Sequence, residues 1–191
     1  MRAWQRMLSG RRLDLVNPAS LDIEIEDIAH GLSRVARWNG QTIGDHPFSV
    51  AQHSLLVEHI FTQSGRECTN QWKLAALLHD APEYVIGDMI SPFKAVLGDD
   101  YKSYEKSLQR AIHLRFGLPA DLPEDLLKRI KEADKIAAWL EATRLAGFQE
   151  QEALTFFGQK PENFLSLDLS PKDTNSIKSL FLNRFLSLSV Q

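Results

Sequence analysis

The sequence predicts an all-α fold. Apolar residues recur at steps of three and four along most of the 191 residues, and Gly- and Pro-rich breaks divide the chain into segments of helical length. Pieces with strand character, such as Leu13-Asp14-Leu15-Val16, are too short to build a sheet.

Each element follows from its own pattern. Residues 24–36 put Ile25, Ile28, Ala29, Leu32 and Val35 on one helical face. The stretch 37–47, RWNGQTIGDHP, reads as a loop. A second helix runs from about 47 to 61, and a third from 70 to 80, stopping or kinking near Pro82. After a loop through Gly87 and Pro92, residues 100–116 are helical. A long helix opens near Pro123, with Asp121 as its N-cap, and ends at Gly147; residues 149–157 add a short one. The last helix, roughly 172–188, lines up Ile177, Leu180, Phe181, Phe185 and Leu188, a stripe suited either to the core or to a homodimer surface.

Composition sets bounds on what the chain can be. A hydrophobic fraction of 43% and a charged fraction of 25% are globular values, and the length suits a single domain spanning 1–191. No run approaches the roughly 18–20 apolar residues of a membrane span. The opening MRAWQRMLSGRRLDLV lacks the apolar stretch of a secretory signal. Cys68 is the single cysteine, so neither an intramolecular disulfide nor a cysteine zinc site is available. The expected location is cytoplasmic, with no membrane partner. With 22 basic and 25 acidic residues, the net charge of −3 offers no bulk attraction to a nucleic-acid polymer. An anionic substrate would have to be held by local cations.

Sorting residues by helical face exposes a polar constellation. In the second helix Val50, Leu56, Val57, Ile60 and Phe61 define the apolar stripe; His53 falls in its middle, and His59 points away. A buried imidazole needs a partner, either a carbonyl or a metal ion. The third helix, WKLAALLHD, is apolar nearly all round and ends in His79-Asp80. The long helix carries Leu126, Leu127, Ile130, Ala133, Ala137 and Leu140, with Asp134 inside that stripe. A carboxylate there is paired with a neighbouring helix or bound to a metal. Glu141, one heptad later, reads as structural, paired with Arg144 at i+3. Three helices thus direct His53, His79 with Asp80, and Asp134 inward. Two imidazoles and two carboxylates suit a divalent ion such as Mn, Fe, Co, Zn or Mg.

These residues carry a resemblance. The series AQHS (51–54), LLHDAPE (77–83), GD (87–88) and EADK (132–135) resembles the HD superfamily of metal-dependent phosphohydrolases, which are all-helical. The segment HDAPEYVIGDMISPFK (79–94), with Arg37-Trp38 upstream, is similar to HD-domain 5'-deoxynucleotidases of the YfbR-like kind. The resemblance covers about 25–145 and leaves 149–191 as a helical extension. It implies an HD-domain helical bundle in which His53, His79, Asp80 and Asp134 bind the metal. It further implies that Glu83 works as general acid/base on the attacking water, with Asp88 as a second site carboxylate. Arg37 would hold the phosphate, and Trp38 would pack near the sugar. Two positions depart from the family pattern near the sugar pocket: Gln52 stands before His53 in place of an acidic residue, and Asn39-Gly40 follows the Arg-Trp pair.

The chemistry suits those roles. Phosphomonoester hydrolysis needs a nucleophilic water, neutralised phosphate oxygens and a protonated leaving group. Arg37 offers donors matched to phosphate, although a surface arginine capping the first helix would look the same in sequence. Glu83 lies on the metal's side if helical geometry persists past Pro82. Lys94 and His46 are weaker candidates for the pocket, and His30 and His113 have no supporting context. The expected function is a metal-dependent phosphohydrolase acting on a small nucleotide, foremost a (deoxy)nucleoside 5'-monophosphate. One alternative is an HD phosphodiesterase or pyrophosphohydrolase on a more highly charged nucleotide, for which the sequence offers no Lys/Arg cluster. The other is a non-catalytic metal- or nucleotide-binding sensor, which would have no need of Glu83.

Overall fold

Helices form where the apolar spacing predicts them. The computed structural model describes residues 3–64, 68–89 and 99–189; Lys94 and Pro92 lie outside them. In chain order the α-helices among these residues are α1 (Ile25–Leu32), α2 (Val50–Gln63), α3 (Asn70–Leu77), α4 (Glu83–Ile86), α5 (Asp99–Arg115), α6 (Glu124–Arg144), α7 (Glu150–Phe157) and α8 (Thr174–Ser189). The sheet is limited to an antiparallel ribbon of β1 (Trp4–Arg6) and β2 (Arg12–Asp14). It is stapled to α1 by Asp27, which accepts from the backbone N–H (3.0 Å) and hydroxyl (2.5 Å) of Ser9.

α2 is the axis of the fold. It packs against α6, α3, α8 and α1, so most of its circumference is buried. Buried apolar side chains from Leu13 to Leu188 form one cluster around it. Ile177, Phe181, Phe185 and Leu188 lie inside that cluster, so this part of the predicted α8 stripe is used as core, while Leu180 is exposed. The buried Glu58 of α2 takes both Nε (2.9 Å) and Nη2 (2.6 Å) of Arg184, tying α2 to α8. No helix among the described residues is long and apolar enough to cross a membrane.

Several boundaries differ from the sequence reading: the second helix starts at Val50 and not near 47, and the third ends at Leu77 and not at Asp80, because the chain turns at Leu78. α1 stops at Leu32 because Ser33 turns back to donate its hydroxyl to the His30 carbonyl (3.0 Å). The chain then straightens, and Ala36 pairs with Ser49 as an isolated bridge. At the long helix, Pro123 rather than Asp121 stands in the N-cap position. Asp121 is drawn instead to Arg110 (3.2 Å) and Lys106 (3.8 Å) on α5. One glycine is required by close approach: a Cβ on Gly31 would come within 2.8 Å of Tyr84, so α1 and α4 meet only because that position is bare.

Candidate active site

Local structure brings the four proposed ligands together from three elements. Ser49 caps α2 by accepting from the Gln52 N–H (3.3 Å), and the His53 N–H closes the first turn on the Ser49 carbonyl (3.0 Å). His53 therefore sits one turn into α2, fully buried. α3 ends at Leu77, and a run of tight turns carries His79 and Asp80 before α4 begins at Glu83, whose N–H bonds the Asp80 carbonyl (3.0 Å). Asp134 arrives from the middle of α6.

The ring nitrogens differ in what they meet. His53 Nδ1 meets Glu141 Oε1 at 2.5 Å, and His79 Nδ1 meets the Ala76 carbonyl at 2.9 Å. Both partners only accept, so each Nδ1 carries a proton and, in the neutral ring, each Nε2 presents a lone pair. The two Nε2 atoms are buried and make no hydrogen bond. Yet His53 Nε2 lies 3.5 Å from Asp80 Oδ2 and 3.4 Å from Asp134 Oδ1, and His79 Nε2 lies 3.2 Å from Asp80 Oδ2. Ligand atoms of His53, His79 and Asp80 all fall within 4.8 Å of one another. Lone pairs aimed at carboxylates repel unless a cation sits among them; without metal a proton on His53 Nε2 fills that role, and with the proton displaced the donor set fits a divalent ion. Burial and the nearby Arg37 work against charge on His53, but Glu141, Asp134 and Asp80 outweigh them and hold its pKa well above the ordinary histidine value. Burial opposes ionisation of Asp80 and Asp134, and the two histidines overcome it, so both carboxyls sit below the usual range.

Arg37 and Trp38 lie beside this cluster. The backbone fixes them: Arg37 N–H bonds the Phe48 carbonyl (2.8 Å), and Val50 N–H bonds the Val35 carbonyl (2.9 Å). Arg37 reaches Asp88 with Nη1 (3.1 Å) and Glu141 with Nε (3.3 Å). Burial disfavours its charge, but Glu141, Asp88, Asp80 and Glu83 more than compensate. Trp38 and Asn39 adopt left-handed backbone (φ 57° and 52°), which costs a non-glycine residue about 1–2 kcal/mol. The Trp38 indole N–H bond to Glu141 Oε2 (2.9 Å) and ring contacts with Phe148 (5.5 Å) and Phe157 (5.9 Å) hold it there.

A family model described as 5'-deoxynucleotidase YfbR-like matches residues 28–187. The chain belongs to this family. YfbR-like proteins are metal-dependent phosphohydrolases of the nucleotidase type, and this chain is an enzyme of that kind, with a possible His/Asp metal group at His53, His79 and Asp80. Among curated proteins it is similar to an uncharacterized protein of Rhodobacter capsulatus, 60% identical over 164 residues covering 86% of this chain and 83% of that one. It is also similar to the uncharacterized protein YfdR of Escherichia coli, 37% identical over 98 residues, which are 51% of this chain and 49% of that one.

On this YfbR-like scaffold the remaining predicted positions can be located. Glu83 is buried in the first turn of α4 and lines, with His79, Asp80 and Pro82, a cavity of about 560 Å³. The turn at Pro82 therefore keeps it on the side of the cluster. Asp88 sits behind Arg37. His46 and His59 are exposed, away from the cluster. His113 is buried, its Nδ1–H donating to the Ala120 carbonyl (3.1 Å). Gln52 turns to the C-terminal segment, donating to the Ser170 carbonyl (2.8 Å) and accepting from Lys172 N–H (3.1 Å), so this departure from the family pattern serves packing. The reading of Glu141 as the partner of Arg144 is overturned: Arg144 donates to the Leu165 and Leu167 carbonyls, while Glu141 is fully buried among His53, Arg37 and Trp38. The far wall of the cavity carries Lys102, Lys106 and Arg110 at steps of four along α5, a cation row that only the folded chain makes visible.

Proposed function

We propose that the enzyme removes the phosphate of a (deoxy)nucleoside 5'-monophosphate, with His53, His79, Asp80 and Asp134 holding the divalent ion. The observation that carries this reading is the pair of buried, unbonded Nε2 lone pairs facing two carboxylates, with the Arg37 guanidinium alongside. When bound, a divalent ion lowers the pKa of a coordinated water and polarises a phosphoryl oxygen. The chain's own groups do the rest. Arg37, kept charged and aimed by Asp88 and Glu141, binds phosphate oxygens. Glu83 takes the proton of the attacking water and returns it to the leaving 5' oxygen. Trp38, locked by Phe148 and Phe157, flanks the sugar.

A longer phosphate chain is the second reading, favoured by the Lys102, Lys106 and Arg110 row. Glu105 and Asp121 line the same cavity, and Asp121 already takes Lys106 and Arg110, which keeps the monophosphate in first place. The test is phosphate release from a panel of nucleoside mono-, di- and triphosphates with Mn, Co or Mg, before and after chelation. Release from 5'-monophosphates that chelation abolishes is the expected result. Bound metal with no release from any member would leave a sensor, and preference for triphosphates would move the assignment to the second reading.

A further inference from the structure

We infer that Glu141 is a positioning residue that joins the metal centre and the phosphate clamp into one unit. The inference rests on the proposed reading of His53 as a ligand and Arg37 as the phosphate-binding group. Glu141 lies seven residues after Asp134 on α6, about 10 Å further along the axis, so it stands behind the ion's ligands and is not one of them. Its Oε1 accepts a hydrogen bond from His53 Nδ1–H (2.5 Å), which turns Nε2 toward Asp80 and Asp134. Its Oε2 takes the indole N–H of Trp38 (2.9 Å) and Nε of Arg37 (3.3 Å).

Packing alone does not explain this residue. A carboxylate with no exposed surface costs several kilocalories to desolvate, and an apolar side chain would fill the same space on α6 at no such cost. What the carboxylate adds is direction. It fixes the tautomer and the rotation of a ligand ring, and it anchors the left-handed Arg37-Trp38 turn to that same ring. Movement of the clamp then moves the ligand, and the reverse.

Glu141→Gln isolates the effect at nearly constant volume. The amide oxygen can still accept from His53, but the amide N–H groups face the N–H groups of Arg37 and Trp38. Two readouts need no turnover: the Kd for Co(II), from the visible absorption of the apo-protein titrated with the metal alone, and the Kd for inorganic phosphate on the Co(II)-loaded protein. Both are expected to weaken, Co(II) by about 10–100-fold. A folded Glu141→Gln protein in which either constant equals the wild-type value overturns the inference. Trp38→Phe supplies a second arm should that variant fail to fold. It removes one donor from Glu141 at a half-buried position, and Co(II) binding is expected to weaken roughly threefold through the shared carboxylate. Unchanged Co(II) affinity there also overturns the inference. If the wild-type protein itself takes up no Co(II), the underlying metal-site reading is what fails.

Discussion

Glu58 and Glu141 are both buried glutamates that accept from an arginine, and the way each spends its oxygens separates two uses of the same chemistry. Glu58 gives its oxygens to the fork of Arg184, with Thr62 one turn away as a further donor. All of its partners lie on α2 or α8, and the result is a bond between two helices. Glu141 instead sends one oxygen to α2 and the other to the Arg37-Trp38 turn, and the far side of the ring it holds carries a lone pair with no hydrogen bond. A carboxylate that fastens two elements can be satisfied by one arginine. A carboxylate divided between separate segments transmits position, and unsatisfied atoms nearby mark where that position is needed.

The contrast can be broken most forcefully at the metal. If Asp134 is a ligand as proposed, Asp134→Ala should reduce Mn or Co uptake and phosphate release to background while leaving the Glu58–Arg184 tie intact. Hydrolysis that survives with undiminished metal affinity would dissolve the whole constellation. The reciprocal change is Arg184→Ala, which should lower unfolding free energy by about 2 kcal/mol in a denaturant titration while Co(II) affinity stays at the wild-type value. That figure sits below the roughly 3–5 kcal/mol of a fully buried pair because Arg184 is 35% exposed. A loss of Co(II) affinity in this variant would erase the distinction between the two glutamates.

The smallest effect is a slope with pH. In chelator, the raised pKa of His53 contributes stability that is complete below the ordinary value of about 6.5 and is lost as pH rises through the raised one. The unfolding midpoint of the metal-free protein should therefore decline as pH rises above about 6.5, and saturating Mn(II) should flatten the decline, since the ion replaces the proton among the carboxylates. Arg184 stays charged across that range and adds no slope. A flat profile in chelator would detach His53 from Asp80 and Asp134.

Much of this was legible in the sequence because it is local. The helices follow from apolar spacing, and Asp134 stood out because its own neighbours, Ile130 and Ala137, are apolar. The sequence places His79-Asp80 at the end of the third helix, whereas that helix stops at Leu77 and the pair lies in the turns before Pro82. Glu141 was misread for the same reason that Asp134 was found: spacing along one helix supplied Arg144 as a partner, while the true partners lie 88 to 104 residues away. The left-handed turn at Trp38 was invisible because non-glycine residues rarely adopt it, and only contacts with Phe148, Phe157 and Glu141 make it affordable. In sequence the three charges at steps of four on α5 look like any solvated face, so the cation row is visible only in the fold.

The short bridge between residues 35–37 and 48–50 has an evolutionary consequence. Because two main-chain bonds close the base of this loop, the distance from Arg37 to His53 is set by the bridge and not by the ten residues between Arg37 and Phe48. Residues 44–47 at its outer end are exposed. Insertions or deletions there would leave the spacing of Arg37 and His53 unchanged, since closing a slightly longer loop costs little. The stretch is a place where relatives can change in length and sequence while Arg37 and His53 keep their relative position as a cassette.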